Sequence, residues 1–180
     1  MQKCAKKLAF EFKNDAAALV PSLEYLLAEI TESIPPGADA EDILFRCKVI
    51  ITELLTNAIK HGGNGITLFD IEADADHLRI NKTDHGSPLY LINTHNHSAT
   101  DNLANKKLIS ADPLNSLYAH WENENCIRFI SEESSIEDFL SVEQVMEHFG
   151  ILIISRSSDE FTYNYDKETQ TNTFKVRIDF

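Results

Sequence analysis

DAEDILFRCKVIITELLTNAIKHGG, running from Asp39 to Gly63, decides the fold of this chain. Ile43, Cys47, Ile50, Ile51, Leu54 and Ala58 recur at helical spacing, which predicts one long amphipathic helix from near Asp39 to His61. Gly62 and Gly63 predict where it stops. Glu53, Asn57 and His61 stand at i, i+4 and i+8 and form one polar stripe along that helix. The stripe borders the apolar face and drifts into it towards His61, so its carboxylate and amide are expected to be half-buried.

Outward from this helix the pattern changes period. On its N-terminal side, Leu8, Phe10 and Phe12 alternate with Lys7, Ala9, Glu11 and Lys13, which predicts a half-buried strand. Asn14 and Asp15 can cap a first helix towards Ser33, with Leu19, Leu23, Leu26, Leu27 and Ile30 as its stripe. Pro21 implies either a start at that residue or a kink, and Pro35-Pro36-Gly37 ends the element. On the C-terminal side, Thr67, Phe69 and Ile71 mark one strand and Leu78 and Ile80 a second. A short polar connection from Ala73 to His77 joins them as antiparallel neighbours.

From about 91 to 140 the pattern weakens, which suggests a variable region with local structure or a lid. Val142, Val145, Met146 and Phe149 fit one short helix interrupted by Gly150, while Ile151 to Ile154 could be helix or strand. Phe161, Tyr163 and Tyr165, then Phe174, Val176, Ile178 and Phe180, predict a closing hairpin. The order implies a single α+β domain over 1–180, a two-layer sandwich. Its sheet is expected to be mixed but mostly antiparallel, with helices on one face.

Composition narrows the function. The 180 residues carry 29 acidic against 16 basic side chains, a formal net charge of −13. That balance argues against a nucleic-acid binder, which needs a surplus of Lys and Arg. It suits a basic protein partner, or simply solubility. Cys4, Cys47 and Cys126 are odd in number and far apart, so neither a disulfide framework nor a zinc site is indicated. No leader-like apolar run opens the sequence and no stretch reaches membrane-spanning length, from which a cytoplasmic location without membrane contact is expected.

The candidate chemistry lies on the polar stripe and just after the second strand of the pair. Asn57 offers a neutral oxygen suited to Mg²⁺, a hard cation that keeps waters and few protein ligands. Glu53, one turn earlier, can polarise a water or hydroxyl beside a γ-phosphate. Asp84 follows a strand and precedes Gly86, where a backbone can approach a ligand closely. Its carboxylate can accept a hydrogen bond from an adenine amino group. Each feature has a plainer reading as well: a solvated helix edge for the stripe, a simple turn for Asp84-His85-Gly86. His95-x-His97 with Asp101 lacks a convincing third zinc ligand. Trp121, with Tyr118 and His120, is read as buried within the variable region rather than as a contact patch.

Taken together, these residues resemble a family. Ile51-Thr52-Glu53-Leu54-Leu55-Thr56-Asn57-Ala58-Ile59-Lys60-His61-Gly62 looks like the N-box of the GHKL ATPases, and Asp84-His85-Gly86-Ser87-Pro88 like their first glycine box. The short domain and the Thr-Asn-Ala-Ile-Lys-His-Gly wording most resemble bacterial anti-sigma factor serine kinases. A histidine kinase fragment is disfavoured, since no phosphoacceptor helix pair precedes the domain. The resemblance implies ATP bound with Mg²⁺ under a lid, and phosphorylation of a serine on a small antagonist protein. A sigma factor is the alternative partner, and a homodimer is implied.

By the same resemblance Glu53 takes the general-base position and Asn57 that of the Mg²⁺ ligand. His61 closes the N-box, Asp84 takes the adenine-amine acceptor position beside Gly86, and Thr173 matches the hydroxyl that supports that aspartate. Gly150 matches what remains of a later G-x-G box, with His148 where its first glycine would stand. No glycine lies between Ser87 and Phe149, so a glycine-rich loop wrapping the phosphates is not provided there. The alternative is therefore a catalytically inactive adaptor of the same fold, with weak or no nucleotide binding.

Overall fold

A computed structural model describes residues 6–62, 65–89, 91, 106–111, 114–133 and 148–180. In chain order the elements are β1 (Lys6–Phe12), α1 (Ala16–Thr31), α2 (Ala40–His61), β2 (Thr67–Ala73), β3 (His77–His85), β4 (Lys106–Ala111), β5 (Asn115–Asn123), β6 (Cys126–Glu133), α3 (Phe149–Ser157), β7 (Glu160–Asp166) and β8 (Thr171–Asp179). One eight-stranded sheet runs β1-β2-β3-β8-β7-β6-β5-β4. Every described pairing in it is antiparallel. The helices cover one face, which makes the architecture an α+β two-layer sandwich.

Local chemistry explains the helices. Asp15 caps α1, its carboxylate accepting the Ala17 N–H at 2.9 Å. Asn14 does something else: it donates to the Gly62 carbonyl at 3.2 Å and accepts the Thr67 hydroxyl at 2.8 Å, tying the end of α2 to the start of β2. Pro21 neither starts nor ends α1 but lies inside it. Asp39 caps α2 through the Asp42 N–H, with acidic residues in the first turn and Lys60 and His61 in the last, as the helix dipole favours. Gly62 stops α2 without a left-handed turn, at φ −83°. What requires glycine there is space: a Cβ would fall 2.3 Å from Asn14 Nδ2 and 2.6 Å from the Ala58 carbonyl oxygen.

The core is where the periodicities converge. All six apolar residues that define α2 in the sequence are buried, joined by Leu55. They meet Leu26 and Ile30 of α1 and the inward residues Phe69, Ile71, Leu78, Ile80, Val176 and Ile178 of the sheet. Cys47 is one of them, and burial pushes its thiol up to about 12, so it is an inert core residue.

Of the two alternatives for the weakly patterned 91–140 region, its described part has local structure: β4, β5 and β6 extend the sheet as a meander, with Ile109, Leu117, Ala119 and Phe129 buried. Trp121 packs partly buried against that core. The stretch from Ile151 to Ile154 is helical, and Gly150 does not interrupt an element but occupies the first turn of α3. Val142, Val145, Met146, His95, His97, Asp101, Cys4 and Gly63 lie outside the described residues.

One tether joins the layers at the far end of α3. Arg46 of α2 donates from Nε to the Ser157 carbonyl at 2.9 Å and from Nη2 to Asp159 Oδ2 at 2.5 Å. The same oxygen accepts the Asp179 N–H at 2.8 Å. Burial works to raise the Asp159 pKa, but the Asp179 N–H and the Arg46 guanidinium outweigh it and hold the carboxyl below its ordinary value. A depressed carboxylate contributes stability that is fully present above its unfolded pKa and is lost as pH falls through the folded one. Asp159→Asn is therefore expected to cost up to about 1 kcal/mol at pH 7, the pair being partly exposed. The difference from wild type should close below about pH 4 in urea unfolding.

Candidate functional site

A cleft of about 470 Å³ opens between the C-terminal half of α2, the start of α3 and the ends of β3 and β8. The β3–β8 register builds its floor. Leu78, Ile80, Lys82 and Asp84 of β3 stand opposite Ile178, Val176, Phe174 and Asn172 of β8. Because strand side chains alternate, all eight point to the helical face. The apolar pairs fill the core, and the last two pairs line the cleft. From the helical side, Asn57 is half-buried in its wall and His61 is an exposed residue on its rim.

The polar floor is one connected network. The Lys82 ammonium, 3% exposed, is hydrogen-bonded to Asp84 Oδ2 and lies 4.9 Å from the centroid of the Phe174 ring. Asn172 Nδ2 donates to Asp84 Oδ1 at 3.1 Å and to the Ser87 carbonyl at 3.1 Å. Its Oδ1 accepts the Tyr163 hydroxyl at 2.7 Å, and that hydroxyl in turn accepts the Leu89 N–H at 2.8 Å. Asn172 thus uses both amide hydrogens and its carbonyl oxygen, and it fixes the 84–89 turn against β7 and β8. Burial raises the Tyr163 phenol above its ordinary pKa; the Leu89 N–H opposes this and the nearby Asp84 charge adds to it. The phenol is therefore a neutral donor at pH 7.

The start of α3 forms the opposite wall. His148 is buried immediately before the helix and lines the cleft, with Gly150 and Ile151 after it. Gly150 also faces α2, where an added Cβ would fall 2.7 Å from Glu53 Oε2 and 3.7 Å from Asn57 Nδ2. Glycine at this position is what allows α3 to close over the Glu53 carboxylate. Glu53 is half-buried in that contact and is not part of the cleft lining.

Asn57, His61, Asp84, Gly86 and Gly150, scattered over almost a hundred positions, come together around one cleft while Glu53 stands directly behind it. Thr173 does not join them. It pairs with Thr83 and, by alternation, faces the other side of the sheet; the support expected of it for Asp84 comes from Asn172 one residue earlier. The drift of the stripe into the core is also not seen, since His61 is exposed. Nothing in the sequence marks Asn172 as a site residue, and Tyr163 shows there only as an inward strand residue. Lys82 gives the one usable signal, a lysine in phase with Leu78 and Ile80, which demands a buried partner.

Among the described residues, no three His, Cys, Asp or Glu side chains converge to hold a metal unaided. The donor set fits a Mg²⁺ carried by phosphates, with Asn57 as a single neutral ligand. Also among the described residues, no helix is long and apolar enough to cross a membrane. Comparison with protein-family models and with curated protein sequences gives no match.

Proposed function

We propose that the cleft binds an adenine nucleotide with Mg²⁺, and that the chain is an ATP-binding regulatory domain of the kind its N-box and glycine box resemble. On this reading it is a cytoplasmic serine/threonine kinase-like switch acting on a small antagonist protein or a sigma factor. The supporting observation is the convergence of Asn57, Asp84, Gly86 and Gly150 on one cleft of about 470 Å³, within the range of ligand pockets. Asp84 accepts the base amine and Phe174 adds apolar surface beside it. Asn57 would hold the Mg²⁺ that accompanies the phosphates, and the start of α3, with Gly150 and Ile151, lines the same cleft. ATP would supply the transferable phosphoryl group, and Glu53, just behind the cleft wall, would take the proton of the accepting hydroxyl by reaching past Gly150 into the cleft.

A second reading has its own observation. Lys82 and Asn172 each already donate to Asp84, and no glycine lies between Ser87 and Phe149. Both favour an adaptor that keeps the fold, contacts its partner and holds nucleotide weakly.

Thermal unfolding with Mg–ADP separates the two. At ligand near 100 times its Kd, binding adds ~2.7 kcal/mol, roughly 5–10 °C for a domain of this size. Wild type is expected to show that shift, and the pair Asp84→Ala with Lys82→Met, which strands neither buried charge, to lose it. An unshifted wild type at millimolar nucleotide would leave the adaptor.

A further inference from the structure

We propose that Lys82 sets the base specificity of the cleft, making it accept 6-oxo purines alongside adenine. This rests on the nucleotide reading above and concerns the floor of the same site. A carboxylate standing alone at that floor is selective. It accepts from an exocyclic amine and repels a carbonyl, because two acceptors then face each other with nothing between them. Sites built in this way reject the mismatched analogue by large factors, since the buried polar groups are left unpaired.

The floor of this cleft is different. Beside the Asp84 carboxylate lies the Lys82 ammonium, itself 3% exposed, bonded to Oδ2 and held over Phe174 at 4.9 Å. Asn172 holds Oδ1 at 3.1 Å, so the carboxylate cannot swing away from the pair. An ammonium has three N–H donors and Asp84 takes one; a carboxylate has about four acceptor sites and the protein takes two. The floor therefore offers a donor and an acceptor side by side.

Adenine matches that couple by giving its amine to Asp84 and accepting from Lys82 at the neighbouring ring nitrogen. Hypoxanthine or guanine matches it in the opposite order, with the 6-carbonyl accepting from Lys82 and the ring N–H donating to Asp84. Neither base strands a group of the protein. The lysine also balances the aspartate charge, which removes the bias towards a purely donating base edge.

Inosine and adenosine diphosphates test this cleanly, because they differ only at that edge. Titration calorimetry of the wild-type protein with Mg–ADP and Mg–IDP is expected to give Kd values within about tenfold of each other. Lys82→Met should weaken IDP by at least about a hundredfold relative to ADP. If Lys82→Met does not fold, the wild-type comparison decides by itself. Binding of ADP with IDP rejected more than about a hundredfold overturns the proposal and leaves the nucleotide reading intact. Equal losses of both ligands in Lys82→Met also overturn it, because Lys82 then acts on affinity and not on choice. Binding of neither diphosphate by wild type overturns the nucleotide reading and this inference with it.

Discussion

Asn172→Ala is expected to lower the stability of the domain by about 2–4 kcal/mol and to abolish the Mg–ADP shift. Asn172 is 6% exposed and bonds three groups at once: it donates to Asp84 and the Ser87 carbonyl, and it accepts from Tyr163, whose oxygen receives the Leu89 N–H. Alanine leaves the buried Tyr163 hydroxyl without its acceptor and removes one donor from Asp84, and each orphaned group costs about 1–3 kcal/mol. In thermal unfolding this amounts to a fall of roughly 5–15 °C. Binding fails for a related reason: without Asn172 the 84–89 turn is no longer held to β7 and β8, so Asp84 and Gly86 lose their fixed positions at the cleft. Thr173→Ala, one residue on but on the other face of the sheet, is expected to change stability by no more than about 0.5 kcal/mol and to leave the shift intact. Reversed results for these two variants would restore Thr173 as the support of Asp84 and overturn the network described here.

That contrast shows where the sequence is readable. Hydrophobic period alone places β1, α1, α2, β2, β3, β7 and β8, because each buries one face against a common core and its apolar residues recur at 2 or 3.6. The β4–β6 meander is not legible in the same way. Its outward positions carry Tyr118, Ile130 and Leu108, paired across strands with one another, so the alternation of apolar and polar residues is blurred. A bulge between Leu108 and Ser110 breaks the period again. The start of α3 is hidden for a different reason. Glycine by its type marks a break, yet Gly150 is inside the helix, where the neighbouring Glu53 side chain takes the space of a Cβ.

The site divides along similar lines. Residues that announce themselves by type and local spacing, Asn57, His61, Asp84 and Gly86, all border the cleft. Those that depend on cross-strand register do not announce themselves. Whether residue 172 or 173 faces Asp84 is fixed by the β3–β8 pairing, and a one-residue difference turns the side chain to the opposite face. Lys82 is intermediate: its phase with Leu78 and Ile80 marks it as inward, but only the structure shows the Asp84 carboxylate meeting it.

If the chain transfers phosphate, as the kinase reading has it, catalysis would depend most on Glu53, which like Thr173 is outside the cleft lining but stands directly behind it. Glu53 touches the face of Gly150 that a side chain would fill, with Oε2 2.7 Å from the position of a Cβ. Gly150→Ala should therefore displace the Glu53 carboxylate, and cheaply, since the group lies at the end of a flexible side chain. The fold is expected to change by no more than about 1 kcal/mol, the better helix propensity of alanine offsetting part of the cost. Nucleotide binding should persist, because the new methyl points at Glu53 and not at the base end of the cleft. Phosphoryl transfer to a protein substrate should instead fall by about 10²–10⁴-fold, the range for losing a positioned general base, and Glu53→Gln should cost the same. Combining the two should add little more, since both disable one group. Measuring Mg–ADP shift and transfer rate together across this cycle distinguishes the alternatives. Additive losses would give Gly150 a role of its own at the phosphates. Turnover untouched by either change would take Glu53 out of the mechanism, and a nucleotide shift without any turnover would make the protein a nucleotide-responsive adaptor.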